Sequence, residues 1–433
     1  MAASPRARCS AVALPLLRIS QYSAIVVSSS AIRVSSGEAA GAVRVGTVAL
    51  SSSSPHPATA NANTIARAIS LKLRPSLVRY MPVTRTDPIL HEEALLAAAR
   101  GGDQAAFERL VERYRPQLHA HCYRMLGSAY DADDALQDAL LRAWRGLPRF
   151  AGRSSLRAWL YKIATNACLD FIGRRPKRVL PLDYGPPGDP ADGIGAPITE
   201  SVFIEPYPTG PEASYEERES VELAFVAALQ HLPARQRAVL ILREVLGFSA
   251  QEVADALDST VASVNSALQR ARKATEDQLP EQTQQATLRM LGDQRVQELV
   301  DTYMRAWEDG DVDTIVGLLT EDVTVAMPPM PTWYRGLDAA AGFFRGYVFA
   351  ERERRTELVG FAAEKRRVRA LPAWAGGQPA FAVYHWNEEA GGYVPVALQV
   401  LTLRGDRIRD VTAFVDPEMM RRFGLPAPEG VAS

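Results

Sequence analysis

Between residues 181 and 219 the chain carries eight prolines and nine acidic residues against one base, Arg218. Proline fixes φ and removes a backbone donor, and closely spaced like charges repel, so neither helix nor sheet is expected there. Residues 179–219 therefore read as an extended acidic linker, and the sequence on either side of it must be considered separately. The 433 residues are enough for two or three domains, each with its own core. Within the linker, "VFIEPYPTGP" is an apolar and aromatic patch that a plain spacer does not need. Two readings stay open for it: packing back on a neighbouring domain, or binding a partner.

Before the linker, from Glu92 to Arg175, the pattern is helical almost throughout. Phe107, Leu110, Val111, Tyr114 and Leu118 recur at three- and four-residue steps, which makes one apolar stripe. "DADDALQDALLRAWRGL" opens on Asp131, Asp133 and Asp134, which suit the positive end of a helix. A third helix is expected from about Ser155, after the loop "RFAGRSS", and the block, 92–178, leaves through Arg174, Arg175, Lys177 and Arg178. After the linker, residues 220–280 read as four helices broken at Leu232-Pro233, Gly247 and Asp258-Ser259. Ser249 with Glu252 spells a capping box, and Thr260 can cap the helix that follows. Residues 295–423 begin with helices and continue as alternating runs, from "VTVAM" through "RIRDVTAFVD", which describes an α+β fold with an antiparallel sheet.

Composition closes off several function classes. The 49 basic and 50 acidic residues leave a net charge of −1, in which locally opposite charges cancel, so nucleic-acid binding must be judged segment by segment. Cys9, Cys122 and Cys168 are too few and scattered for a disulfide framework, which fits a reducing cytoplasm. "HAHC", at 119–122, lies on an apolar-periodic helix with no second ligand cluster, so packing is expected there and no metal or cofactor. No apolar run reaches the roughly 20 residues that span a bilayer. Residues 1–80 hold nine Arg or Lys, fifteen Ser and one acid, Glu38. They are expected to be disordered, and read either as an over-extended start before Met81 or as a transit-peptide-like segment.

The stretch with most chemical content is "STVASVNSALQRARK", at 259–273. On a helical wheel Val261, Val264, Leu268 and Ala271 share one side and would hold the helix to its partners. Asn265 and Gln269 stack on another face, with Ser266, Arg270 and Lys273 alongside. A carboxamide can pair with adenine in the major groove through two hydrogen bonds, and Arg and Lys can hold phosphates. Two short helices with a tight turn and a basic tail spell a helix-turn-helix, although a plain helical hairpin satisfies the same pattern.

Taken in order, residues 92–279 resemble a bacterial sigma factor of the extracytoplasmic-function (ECF) group, in which region 2 and region 4 are joined by a linker. "DADDALQDALLRAW" resembles the region 2 helix that docks on core RNA polymerase. "RFAGRSSLRAWLYKIATNACLDFIGRR" resembles the part that opens and reads the minus-10 element, and "LPARQRAVLILREVLGFSAQEVADALDSTVASVNSALQRAR" resembles region 4. The resemblance implies polymerase contacts by Asp134, Leu136, Gln137, Asp138 and Trp144, with the beta-prime clamp helices and the beta flap as the docking parts. Leu136 and Trp144 equally suit a core. It implies minus-10 contacts by Phe150, Arg153, Ser154, Lys162, Asn166, Arg174 and Arg175, and minus-35 contacts by Thr260, Asn265, Ser266, Gln269, Arg270 and Lys273. Many relatives are basic at the positions of Asn265 and Ala267, so their minus-35 preference does not carry over. Trp159 can stack on a base or fill a core.

Residues 295–423 resemble the SnoaL-like domain, a curved cone related to ketosteroid isomerase. "LVDTYMRAWEDGDVDTIVGLLTEDVTVAMPPMPTWYRG" is its typical opening. The implied fold class is multidomain: two all-α sigma domains and a C-terminal α+β cone. Asp322, His385 and Asp410 are candidate acid–base groups, each with an ordinary structural alternative, and Trp333 and Tyr334 are a candidate pocket rim or docking surface. The leading expectation is a cytoplasmic, non-enzymatic sigma factor with core polymerase and promoter DNA as partners. Its C-terminal domain would modulate activity, with an unknown small ligand as a further partner and no membrane. The alternatives are a bifunctional chain with an active SnoaL-like enzyme, or a helix-turn-helix regulator that never joins polymerase.

Overall fold

The computed structural model describes residues 87–198, 200, 202–209, 213–276, 278–280, 282–349 and 368–425. The extension expected over 1–80 lies outside the described residues. The first helical block comprises α1 (Asp87–Arg100), α2 (Gln104–Glu112), α3 (Arg115–Leu126), α4 (Ala129–Gly146) and α5 (Leu156–Ile172). Local chemistry sets its boundaries. Asp103, Ser128 and Ser155 accept the backbone N–H groups of Ala106, Asp131 and Ala158, each at 3.1 Å, and so start α2, α4 and α5. α4 thus begins before the acidic run that marks it in the sequence. Gly127, at φ 74°, ends α3, and no L residue adopts that conformation as cheaply. Leu110, Leu118, Met125, Leu147 and Tyr161 are buried between these helices.

The linker is not a free spacer. Backbone hydrogen bonds join Val179 to Val202 and Ile204 to Val179, at 2.9 and 3.0 Å. Arg178, the last residue of the basic exit, is 5% exposed and donates to Asp131 at 2.7 Å, to Glu205 at 3.0 Å and to the Phe203 carbonyl at 2.8 Å. Tyr207 packs on Tyr123 with ring centroids 4.6 Å apart. The aromatic patch therefore packs on the first helical block, the first of its two readings.

After the linker come α6 (Tyr215–Glu219), α7 (Leu223–Gln230), α8 (Ala234–Leu240), α9 (Ala250–Ala256) and α10 (Val261–Glu276), with breaks where Pro233, Gly247 and Asp258 forecast them. The capping box of Ser249 and Glu252 is fully formed. α11 (Gln284–Leu291), which the sequence reading leaves unassigned, starts at its cap Thr283. α12 (Asp293–Asp309) and α13 (Val312–Gly317) then lead into the C-terminal sheet.

That sheet holds β1 (Leu319–Ala326), β2 (Trp333–Arg335), β3 (Val368–Ala375), β4 (Gln378–Asn387), β5 (Gly392–Arg404) and β6 (Arg407–Phe414), in the order β2-β1-β6-β5-β4-β3. α14 (Leu337–Phe343) follows β2, and α15 (Pro417–Arg422) follows β6. The sheet is not wholly antiparallel as expected: β1 runs parallel to β6. Strands so far apart in sequence are joined by no hairpin that would dictate their direction. One face, with Phe381, Val383, Leu401 and Val411, closes over Tyr303 and Trp307 of α12. The other, with Ala380, Ala382, Leu398, Val400 and Phe414, joins the same apolar cluster as the helical blocks. β4 is consequently apolar at nearly every position rather than at alternate ones.

Candidate nucleic-acid interface

α10 is amphipathic in the manner a groove-binding helix requires. Val264, Ala267, Leu268 and Ala271 are buried, packed against α8 and α9, while Thr260, Asn265, Ser266, Gln269, Arg270 and Lys273 are all exposed. Thr260 accepts the N–H of Ser263 at 3.2 Å, which fixes the start of the helix. Asp258 supplies the turn with φ 47°, a left-handed conformation that Asp tolerates better than most residues. Val261 departs from the sequence reading. It is 36% exposed.

The expected minus-10 residues fall into three groups. Arg153, Ser154 and Arg174 are exposed. Phe150, proposed from sequence as a DNA contact, is instead buried at 7% exposure and packs on Trp159 with centroids 4.9 Å apart, so both rings serve the core. Lys162 and Arg175 are engaged within the chain. Lys162 donates to the Asp255 carbonyl at 2.6 Å and to Asp258 at 2.8 Å, while Arg175 pairs with Asp131 and, at 3.9 Å, with Asp134. Asn166 is half-buried on α5.

Lys162 therefore meets the turn that leads into α10, and it does not stand alone. Arg157, one turn earlier on α5 and not singled out from sequence, donates to the Leu246 carbonyl at 3.0 Å and lies 4.3 Å over the Phe248 ring. Arg237 of α8 is 4% exposed and spans two helix ends, donating to the Met125 carbonyl of α3 and to the Gln230 and Leu232 carbonyls at the end of α7. A cation among unpaired terminal carbonyls is favourably placed against both helix dipoles. The two helical blocks are thus held together, and a seam covers part of the basic side of α5.

On α4, Asp134 and Gln137 are exposed, and Asp138 pairs with Arg142 at 2.7 Å. Leu136 is buried at 5% exposure and cannot offer the surface contact expected of it; Trp144 is half-buried against Phe107. The apolar residue that shares the outer face with Asp134 and Gln137 is Leu141, 49% exposed. "HAHC" does not form one site: the His121 ring bonds Thr165 at 2.9 Å, and the His119 ring bonds Tyr207 at 2.7 Å. Burial, with the Arg124 charge adding, pushes His121 down to about 3.

In the C-terminal domain, Trp333 and Tyr334 are buried at 3% and 2% exposure, not at an open rim. What covers them is the linker: Trp333 donates from its indole N–H to the Gly185 carbonyl at 2.7 Å, and the Tyr334 hydroxyl donates to Gly193 at 3.2 Å. Gly188 passes so close that a Cβ there would lie 2.6 Å from Thr332. Asp322 pairs with Arg404, which holds its carboxyl down at about 2. Asp410 accepts the Thr324 hydroxyl, and burial raises it. Both acids lie on the sheet face away from Tyr303 and Trp307, and His385 sits on β4, opposite Val368 of β3. α15 places Arg422 2.7 Å from Asp133 and 3.9 Å over the Tyr130 ring, at the start of α4.

Three family descriptions match the chain: Sigma-70 region 2 over residues 110–178, Sigma-70 region 4 over 222–274 and the SnoaL-like domain over 300–411. The ECF RNA polymerase sigma factor SigG of Mycobacterium tuberculosis (strain H37Rv) is 40% identical over 336 residues, 76% of this chain and 86% of that protein. The ECF RNA polymerase sigma-E factor of Escherichia coli (strain K12) is 31% identical over 190 residues, 44% of this chain and 95% of its own length. The crystal structure of the Mycobacterium tuberculosis extracytoplasmic function sigma factor SigJ is similar at a TM-score of 0.43 and 20% identity, over 72% of this chain and 98% of that one. With its two sigma-70 regions in order and SigG matched over most of both lengths, the chain belongs to the ECF RNA polymerase sigma factors and carries a C-terminal SnoaL-like domain.

Proposed function

We propose that the chain joins core RNA polymerase and directs it to a defined set of promoters, region 4 reading duplex minus-35 DNA and region 2 the opened minus-10 strand. The observation that carries the region 4 part is the exposed row Asn265, Ser266, Gln269 and Arg270 on a helix whose opposite side is buried. The carboxamides would read base edges and Arg270 and Lys273 would hold phosphates. Arg153, Ser154 and Arg174 are the region 2 groups already facing outward. Asp134, Gln137, Asp138 and Leu141 form the proposed polymerase face of α4, directed at the beta-prime clamp helices, with region 4 directed at the beta flap.

The conformation described is a closed one in this reading. Lys162 is bonded to the turn before α10, and Arg422 of the C-terminal domain lies next to the polymerase face of α4. The C-terminal domain acts as a brace that favours this closed state, and we take it to be regulatory rather than catalytic. Asp322 is ion-paired and Asp410 hydrogen-bonded, both on the sheet face away from the aromatic interior, which supports that reading. Gel-shift and footprinting assays with core polymerase test the reading. Protection of separate minus-35 and minus-10 elements supports it, and DNA binding that is indifferent to core polymerase would favour a regulator that never joins the enzyme.

A further inference from the structure

Glu222 stands at the entrance to region 4, as the residue before α7, and is 3% exposed. Its carboxylate does not cap its own helix; it turns to the start of α11, where it accepts the backbone N–H groups of Gln285 at 2.9 Å and Gln284 at 3.3 Å. Those same two residues hold the C-terminal sheet. The Gln284 side chain accepts the N–H of Leu403 at 2.8 Å, and the Gln285 amide donates to the Gly377 carbonyl. Gln378 completes the junction by accepting the N–H of Leu223 at 3.2 Å. The tip of the β3–β4 hairpin, Gly376 and Gly377, is wedged in so tightly that a Cβ at Gly377 would lie 2.6 Å from Arg218. One carboxyl group therefore joins region 4, α11 and, through α11, the SnoaL-like domain.

Its electrical surroundings are unusual. α7 contributes no charged side chain, the hairpin tip contributes Gly376, Gly377 and Gln378, and β5 contributes Arg404, which is committed to Asp322. On α11, Arg289 is exposed. α6 adds Arg218 beside Gly377, and Glu219, whose like charge acts on Glu222. Among the described residues Glu222 forms no ion pair. A buried carboxylate served only by neutral donors is stabilised far less than a paired one. We propose that Glu222 is a proton-operated latch: protonated, it keeps the SnoaL-like domain clasped to region 4, and ionised, it favours release of that clasp.

Burial, with the like charge of Glu219 adding and more than the hydrogen bonds from Gln285 and Gln284 can offset, lifts this carboxyl from its ordinary 4.5 to about 7. The clasped state thus holds the proton more tightly than an opened, solvated one. Full clasping strength is present below the ordinary value and is lost as pH rises through the interval up to about 7. The latch rests on the gating reading for its biological meaning, but its test does not use transcription. Hydrogen exchange of the full chain, followed by mass spectrometry and corrected for intrinsic rates, reports opening at Gln284, Gln285 and the β3–β4 tip. Between pH 5.5 and 8 the opening constant of the native chain should rise on the order of tenfold or more, whereas Glu222→Gln should stay within about twofold. Glu222→Asp, which retains the charge, should keep a pH response. A native chain whose opening is flat or falls over that range overturns the latch, whatever the variants do, as does an undiminished rise in Glu222→Gln. An intact pH response of opening, with promoter-specific transcription that does not rise when the clasp is loosened, would instead count against the gating reading.

Discussion

At the scale of single residues, the clearest contrast is between two leucines of one helix. Leu136 fills the core and Leu141 lies in the open, five positions apart and so on different faces of α4. Leu136→Ala should lower stability by about 2–5 kcal/mol in chemical denaturation. Leu141→Ala should stay within about 0.5 kcal/mol of the native chain yet weaken core polymerase binding. If Leu141→Ala bound core as tightly as the native chain, α4 would be docked by another face. On α10, Gln269→Ala should reduce promoter discrimination by roughly 1–3 kcal/mol, while Arg270→Ala should mainly flatten the salt dependence of binding. Competition binding across a salt series separates the two. His121 gives a pH prediction of opposite sign to the latch. Its neutral form is favoured by folding, so its contribution is complete above its ordinary value of 6.5 and declines as pH falls from there toward about 3. Acid melting should therefore start below about pH 6, and a His121→Gln chain that still folds should lose part of that acid sensitivity.

Among the elements, the linker changed most between sequence and structure. Gly188→Ala should lift it from β2, because the added methyl has no room against Thr332, at about 1–3 kcal/mol. A red-shifted Trp333 emission would mark the exposure, and an unchanged spectrum and stability would mean that the linker accommodates the methyl. The helices of both sigma regions were legible from the chain because their signals are local: an apolar stripe, a Ser or Thr cap, a glycine or proline at the break. Ser249 with Glu252, and Thr260, are read within four residues. The burial of Arg178, Trp333, Tyr334 and Phe150 is not legible, for the opposite reason. Each is buried by a partner remote in sequence, or, for Phe150, by a ring nine positions on, and composition carries no trace of that pairing. The parallel β1–β6 pair escaped on the same grounds. The exposed row on α10 is readable because outward-facing residues are defined by what they do not touch, whereas the seam of Arg157, Lys162 and Arg237 exists only once two helical blocks have met.

For the molecule as a whole, the two sigma regions, the linker and one face of the C-terminal sheet share a single apolar cluster. A chain of independent beads would not bury Arg237 and Glu222 at its seams. Under the proposed function, opening, rather than synthesis of a new surface, is the step that precedes promoter recognition. The most direct measurement is run-off transcription with purified core polymerase, comparing the native chain with a Gly377→Ala, Arg422→Ala double variant that loosens two of the contacts the SnoaL-like domain makes with the sigma regions. Transcripts from discrete start sites in both reactions, at about fivefold or greater yield with the variant, are the predicted result. Absence of any start-specific transcript from either protein would contradict the account at its centre, and equal yields from the two would contradict the closed state as a restraint.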